Sequence, residues 1–303
     1  MYRILVVYYS QSGQLGDITM SVTRTLREQK DIEIVYEELK PRPAFPFPWT
    51  SEEFFQAFPE SVEGIPCLLE PFKAADNGEY DLVMVAYQPW FLSPSIPVHA
   101  FFQHSRAKAI LAGKPVIIIT GCRNMWVMST ERIKQYIRDA GGKPVGNIVL
   151  YDKAPNLLSV ISIMRWMFTG KKERYGLIPP AGVSSQDTEN ASKYGDIIYS
   201  SIKKANLDSL QENLTKAGAV NVIPELILFE RNGSRFFKIW SKFILKKGGY
   251  GSKARSARLA AFKYYLLAVL FILSPFGSLF FRIAKPFRRK AMEKQKTLYQ
   301  SMF

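Results

Sequence analysis

Along the first 150 residues the apolar positions come in short continuous runs, separated by stretches where they recur at helical spacing. Tyr2 to Tyr9 (YRILVVYY) is such a run, ended by Ser-Gln-Ser-Gly, after which Ile18, Val22 and Leu26 mark one face of a helix reaching about Gln29. Ile32 to Glu38, Tyr80 to Tyr87, Lys114 to Thr120 and Val145 to Tyr151 read as four further strands. Helices are expected at about Val98 to Leu111 and from Ser129 to Ala140, the second capped by Ser129 or Thr130 and stopped by Gly141-Gly142. Continuous rather than alternating apolar runs belong to strands buried on both faces, so the pattern predicts an α/β fold with a doubly wound, five-stranded parallel sheet.

Two segments interrupt this order. Pro41 to Phe72 lies between the second and third strands, with prolines that forbid a central strand and aromatics too numerous for a solvated linker. Its Phe45, Phe47, Trp49, Phe54, Phe55 and Phe58 either pack over the sheet edge or wall an apolar substrate pocket. After the fifth strand come the apolar stretch Leu157 to Phe168 and a helix expected from Asp187 to Ala205, the last cover for the sheet. These readings divide the chain into an α/β domain over 1–205, with its insert at 41–72, and a helical extension over 206–303.

Charge changes the picture of that extension. From Arg231 to Lys290 the chain carries fifteen Lys and Arg and no Asp or Glu, and the remaining 26 basic residues match the 26 acidic ones. The net charge of +15 therefore resides in one region, which calls for a polyanionic surface. Arg235 to Lys247 places Phe236, Phe237, Trp240, Phe243 and Ile244 on one face of a basic helix, the pattern of an interfacial membrane helix. Tyr264 to Phe281 follows without a charge; Pro275 and Gly277 interrupt it after about ten residues, or about half a hydrocarbon core. A re-entrant or interfacial hairpin through Leu266, Leu267, Leu270 and Phe271 is expected, the alternative being a buried helix over a dimer interface. Nucleic acid is not the expected partner, because its binding needs no aliphatic run; at about 1 kcal/mol per basic residue an anionic bilayer would hold this segment.

Two cysteines, Cys67 and Cys122, exclude a disulfide framework, and two histidines, His99 and His104, exclude a His-rich metal centre, so no metal is expected. The opening MYRILVVYYSQSG lacks the parts of a signal peptide, and the expected location is the cytoplasm, on the inner face of its membrane.

The sharpest local signal is Val6 to Ile18. A strand ending in hydroxyl-x-hydroxyl-Gly before a helix aims backbone N–H groups and the positive helix end at one point, with Ser10 and Ser12 adding donors. Such a nest suits a phosphate; an ordinary strand-helix turn is the other reading. Neither Gly-Lys-Ser/Thr nor G-x-G-x-x-G follows, which argues against a P-loop nucleotidase and a dinucleotide fold.

Ser10, Gln11, Ser12, Gly13, Gln14 and Leu15 resemble, in order, the FMN phosphate loop of flavodoxins, departing from it at Leu15, where a last hydroxyl is usual. The resemblance continues at Tyr87, Gln88, Pro89, Trp90, Phe91 and Leu92, where Trp90 would stack on the flavin ring, and at Thr120, Gly121, Cys122, Arg123 and Asn124. With the aromatic insert and the basic tail, the chain is similar to the flavodoxin-like aromatase of bacterial dialkylresorcinol and flexirubin-type aryl polyene pathways. That resemblance implies FMN-dependent oxidation of a dialkyl cyclohexane-1,3-dione to a dialkylresorcinol, with a pathway ketosynthase as a further partner and a homodimer left open. Candidates for the chemistry are Tyr87, Cys122, Arg123 and His99, with Arg123 suited to an enolate or carboxylate. An NAD(P)H-dependent quinone or flavodoxin-type reductase and a flavin-free membrane-tethered scaffold remain alternatives.

Overall fold

The computed structural model describes residues 1–74, 80–273 and 288–302. Its centre is an all-parallel sheet of β1 (Tyr2–Tyr8), β2 (Ile32–Glu38), β3 (Leu82–Tyr87), β4 (Pro115–Cys122) and β5 (Lys143–Tyr151). The strand order is β2-β1-β3-β4-β5, the flavodoxin-like doubly wound topology, whose reversal between β1 and β3 opens a crevice at the carboxyl ends of the strands. All five expected strands are present. The helices used below are α1 (Gln14–Val22), α2 (Ser51–Glu63), α3 (Ile96–Gln103), α4 (Ser105–Leu111) and α5 (Val127–Asp139). They continue with α6 (Asn156–Thr169), α7 (Ser192–Lys203), α8 (Leu210–Lys216), α9 (Pro224–Leu245) and α10 (Ser256–Ala268).

The sheet is buried on both faces, which is why its strands read as unbroken apolar runs. Ile4, Val6, Met84, Ile117 and Ile119 pack toward α1 and α7; Leu5, Val7, Val83, Val85 and Ile118 pack toward α3, α4 and α5. The single helix expected over Val98 to Leu111 is two. His104 is extended between them, and its Nδ1 accepts the Arg106 N–H at 3.2 Å as the cap of α4.

The core continues beyond residue 206. Leu210 and Leu214 of α8, then Val220, Val222 and Ile227, belong to the same cluster as Val6 and Ile119, and the Val149 N–H donates to the Ala219 carbonyl at 2.8 Å. The boundary at 205/206 thus falls within one packed unit. A helix over 288–300 also returns to the sheet domain: Lys134 Nζ donates to the Ser301 carbonyl and Arg138 to that of Met302, both at 2.8 Å, and Met302 is buried beside Ile137.

The insert and the extension pack on each other. Thr50 and Glu53 form a capping box at the start of α2, and Gly64 ends that helix in the left-handed region. Phe58 stacks on Phe262 of α10 at 3.7 Å and meets Phe237 of α9 edge-on at 5.4 Å. Beneath them Arg255 forms a fully buried two-point ion pair with Glu60 at 2.6 and 2.9 Å. The apolar stripe expected on α9 is therefore divided. Phe237, Trp240 and Ile244, with Leu266 of α10, face protein, whereas Phe236, Ile239 and Phe243 are exposed. Leu267 and Leu270 are half-buried and Phe271 is exposed, but 274–281 lie outside the described residues. No helix among the described residues is long and apolar enough to cross a membrane.

Candidate functional site

The loop from Tyr9 to Gly13 joins β1 to α1 at the topological switch point. Gly13 turns the chain at φ 86°, a conformation that disfavours any side chain. Among the described residues the N–H groups of Ser12, Gly13, Gln14 and Leu15 meet no acceptor. They sit at the positive end of α1, which together makes a cradle for an anion.

Most side chains of the loop are used to hold its shape. Ser10 Oγ accepts the Gly16 N–H at 2.9 Å, Gln11 donates to the Pro46 carbonyl at 2.7 Å, and Gln14 exchanges two hydrogen bonds with the Val183 backbone at 2.9 and 3.0 Å. Ser12 is the side chain left to face a ligand. Leu15 is 2% exposed in the core with Ile18, and Gly121 lets that pair approach the end of β4: a Cβ there would meet Leu15 and Ile18 at 3.1 Å. Leu15 thus contributes its backbone N–H while its side chain fastens α1 to the sheet.

Two further loops close on the same cleft. Pro89-Trp90 pairs with Ser93-Pro94 around Phe91 and Leu92, at φ 50° and 62°, a two-residue turn in which Asn-Gly would be usual. Ser61 of α2 holds this strained turn by donating to the Trp90 and Pro94 carbonyls at 3.0 and 3.1 Å. Trp90 stands edge-on to Tyr9, Phe45 and Trp49 at 5.1 to 5.9 Å. After β4, Arg123 Nη1 and Asn124 Nδ2 both donate to Asn156 Oδ1, at 2.7 and 2.9 Å.

The cleft is lined on its polar side by Gln11, Ser12, Gln14, Gln88, Gly121, Cys122 and Arg123, and on its apolar side by Leu15, Pro89, Trp90, Phe91, Phe47, Trp49 and Phe54. Residues of all three expected loops and of the insert therefore meet in one place. Ile18, Ile163, Trp166, Met167 and Gly182 complete the wall without having been expected. The i, i+3, i+4 spacing of Ile163, Trp166 and Met167 marks one face of α6 and was the available signal.

Several expected site residues lie elsewhere. Phe55 and Phe58 point to α10, Phe45 stands behind Trp49 and Trp90, and Leu92 rests on Gly233 of α9. Tyr87 is fully buried and its hydroxyl bonds Ser129 and Thr130 at 3.0 and 2.8 Å; burial pushes its pKa upward, and Thr120 is enclosed beside it. His99 is also buried. With Nδ1 accepting from Tyr136 at 3.0 Å and Nε2–H donating to the Ser61 carbonyl at 2.9 Å, it is a neutral strut, its pKa lowered to about 3 by burial and then by Arg132. Neither residue reaches the cleft, because each is consumed by bonds behind the ring loops.

Cys122 and Arg123 do line it. Burial pushes the Cys122 thiol upward, so it is a poor base, and lowers Arg123 to about 10, so the guanidinium remains cationic at neutral pH. No group of three His, Cys, Asp or Glu that could hold a metal exists among the described residues.

No protein-family model and no curated protein matches the chain. Among solved structures it is similar to a Lactobacillus acidophilus flavoprotein in complex with FMN, at 16% identity and a TM-score of 0.40, over 49% of this chain and 93% of that one. It is also similar to a flavodoxin from the domain Archaea, at 12% identity and 0.36, over 66% and 99% of the two chains. A third is RosB with bound 8-demethyl-8-formylriboflavin-5'-phosphate, at 10% identity and 0.38, over 71% and 81%. Identities of 10–16% and scores of this size assign no residue roles, so the strand order remains the ground for the flavodoxin-like fold.

Proposed function

We propose that the chain is an FMN-dependent oxidoreductase that aromatises a dialkyl cyclohexane-1,3-dione to a dialkylresorcinol at a membrane surface. The observation that carries this reading is the meeting, in one cleft at the carboxyl ends of the strands, of an anion cradle and an apolar wall. Free N–H groups from Ser12 to Leu15 and the Ser12 hydroxyl suit the phosphate of FMN, and the loops at 88–91 and 121–123 suit its ring. Beyond the ring, Phe47, Trp49, Phe54, Trp166 and Met167 offer an apolar surface that a flavin alone does not require.

Bound FMN supplies a hydride acceptor. Aromatisation removes one hydride and one proton from the dione ring, and the proton passes to water at the polar side of the cleft, where no carboxylate or imidazole stands among the described lining residues. Arg123 is placed to steady the enolate oxygen as that proton leaves, and Asn156 fixes its guanidinium. The apolar wall orients the alkyl chains and leaves water to the polar side of the cleft.

The membrane part of the proposal rests on α9 and α10. Phe236, Ile239 and Phe243 are 44 to 65% exposed among Arg235, Lys238, Lys242 and Lys246, and Tyr264, Phe271 and Ile272 are exposed beyond them.

The visible absorption spectrum of the protein purified in mild detergent tests the reading, followed by identification of the released chromophore. Bound FMN with oxidation of a dialkyl cyclohexane-1,3-dione in the absence of nicotinamide is the expected result. NAD(P)H consumption with quinones would replace it by the reductase, and a colourless protein that takes up no added FMN would leave a scaffold.

A further inference from the structure

One face of α6 lines the cleft and the opposite face is bare. Leu157 and Ile161 are 39 and 37% exposed, and Arg165 continues their row at i+8. The Arg165 guanidinium lies 5.1 Å over the Tyr175 ring, which carries the row onto a hairpin beyond the helix. There Tyr175 and Ile178 exchange backbone hydrogen bonds at 3.0 and 2.9 Å around Gly176 and Leu177. Leu177, at the tip, is 88% exposed and Tyr175 64%.

A lone exposed leucine is ordinary on a protein surface. This one is held out by construction. Arg165 donates to the Lys171 and Glu173 carbonyls at 3.1 and 2.9 Å, and the Ala181 N–H donates to that of Lys172 at 2.9 Å, so the first leg of the hairpin is tied to α6 and the second leg to the first. Arg165 stands over Tyr175, Arg174 donates to the Gly176 carbonyl at 3.3 Å, and Lys171 begins the same leg, against Glu173 as the one acidic residue of 171–180; Lys172 is turned instead to the Trp166 ring, 5.4 Å from its centroid. An aliphatic tip, a tyrosine beside it and a cationic collar match the depth profile of an anionic bilayer: hydrocarbon, interface, headgroup. A protein partner of the same shape would need acidic side chains opposite this collar but no graded order of apolar tip, phenol and cations.

We propose that the hairpin at 171–180 inserts Leu177 into an anionic bilayer and seats the mouth of the cleft on it. The inference extends the membrane part of the function proposed above to a second, separate surface. The same helix that carries the hairpin contributes Ile163, Trp166 and Met167 to the cleft, so a lipid-soluble substrate would pass from the acyl region to the apolar wall along α6. The α9–α10 surface adjoins the same rim: Phe168 meets Phe54 at 5.6 Å, and Lys263 donates to Ser51 at 3.0 Å, both at the first turn of α2.

The test places an environment-sensitive NBD label at Leu177→Cys in a Cys67→Ser/Cys122→Ser background of the full chain. Vesicles of phosphatidylcholine with 30% phosphatidylglycerol, about that fraction being chosen to give an anionic surface, should blue-shift the NBD emission and raise it severalfold. Leu177→Asp, in a solvent-exposed turn that folding does not use, should weaken co-sedimentation with these vesicles about tenfold or more. Vesicle binding with no shift at position 177 and no loss in Leu177→Asp would overturn the hairpin while leaving the α9–α10 surface in place; no binding by the unsubstituted chain would overturn both. Flavin content, measured on the unsubstituted chain and on Leu177→Asp with both cysteines intact, reports on the cofactor assignment independently.

Discussion

Glu230 of α9 caps Met128 of α5: its carboxylate accepts the Met128 N–H at 2.7 Å and the Val127 N–H at 3.2 Å, 102 and 103 residues away in sequence. Ser129 and Thr130, the local cap candidates, instead bind the Tyr87 hydroxyl. The start of α5, immediately after the loop at 121–124, is therefore set by the extension. Burial raises Glu230 to about 7 in spite of these bonds. A carboxyl whose folded pKa lies above its unfolded value binds a proton more tightly when folded, so its contribution to stability falls as pH rises from about 4.5 to about 7. Glu230→Gln should remove this decline, gaining on the parent by up to the order of 3 kcal/mol between pH 5 and pH 8. Denaturant unfolding at the two pH values measures it; parallel curves would mean that Glu230 is ionised throughout.

His99 gives a limb of opposite sign. Its folded pKa is lowered to about 3, so the neutral ring's contribution is complete above about 6.5 and is lost as pH falls toward 3. His99→Gln should flatten the acid limb without changing flavin affinity, since the ring lies behind the turn at 91–92 and not in the cleft. Thermal unfolding between pH 4 and 7 checks the first statement and flavin titration the second.

Cutting the chain after Asn206 should not release a folded flavodoxin-like domain. Leu210, Leu214, Val220, Val222 and Ile227 are at most 3% exposed in the core shared with Ile119, and each large apolar side chain lost costs about 2–5 kcal/mol, more than a domain of this size can spare. The truncated chain is expected in the insoluble fraction, or without a cooperative thermal transition; a soluble, cooperatively unfolding fragment would refute the shared core.

What the sequence revealed and what it hid follow from the range of the interactions. Both-face burial writes itself into a strand as an unbroken apolar run, so Ile4 to Val7 and Val83 to Ala86 were legible, as was the hydroxyl-Gly loop, whose geometry is set within five residues. Glu230 over Met128, Arg255 under α2 and Met302 under α5 join positions a hundred or more residues apart and leave no periodic mark. The stripe on α9 was legible only as a whole, for a related reason: helical spacing marks the apolar residues but not which of them a distant element, here α2 and α10, covers. Only Phe236 and Phe243 of its four marked aromatics are exposed.

Arg255 is the point at which the extension can be unlocked from the insert. Its guanidinium is fully buried and also donates to the Gln56 carbonyl, so removing it strands the Glu60 carboxylate away from water. Arg255→Met should cost about 3–5 kcal/mol, and Glu60→Gln should cost less because the amide can still accept from Arg255. The double variant Arg255→Met/Glu60→Leu should regain much of the loss. With Glu60→Leu alone as the fourth corner, a double-mutant cycle by chemical denaturation gives the coupling; strict additivity would show that the pair is not buried in solution.

Gly13 separates charge from backbone strain at the proposed phosphate site. A Cβ there meets nothing within 4 Å, so the obstacle to substitution is φ 86° and not space. Asn and Asp tolerate positive φ better than other side chains and have nearly the same shape, but only Asp brings a negative charge to the cradle. Gly13→Asn should retain flavin with affinity reduced about tenfold or less, whereas Gly13→Asp should lose a further hundredfold or so, since a carboxylate beside a phosphate forfeits several kcal/mol in a partly desolvated site. The two proteins should unfold at similar temperatures without flavin, because both carry the same strain. Flavin titration of the pair followed by fluorescence decides the matter: equal affinities would mean that no phosphate is bound at the amino end of α1, and the anion cradle would have to be sought elsewhere along the cleft.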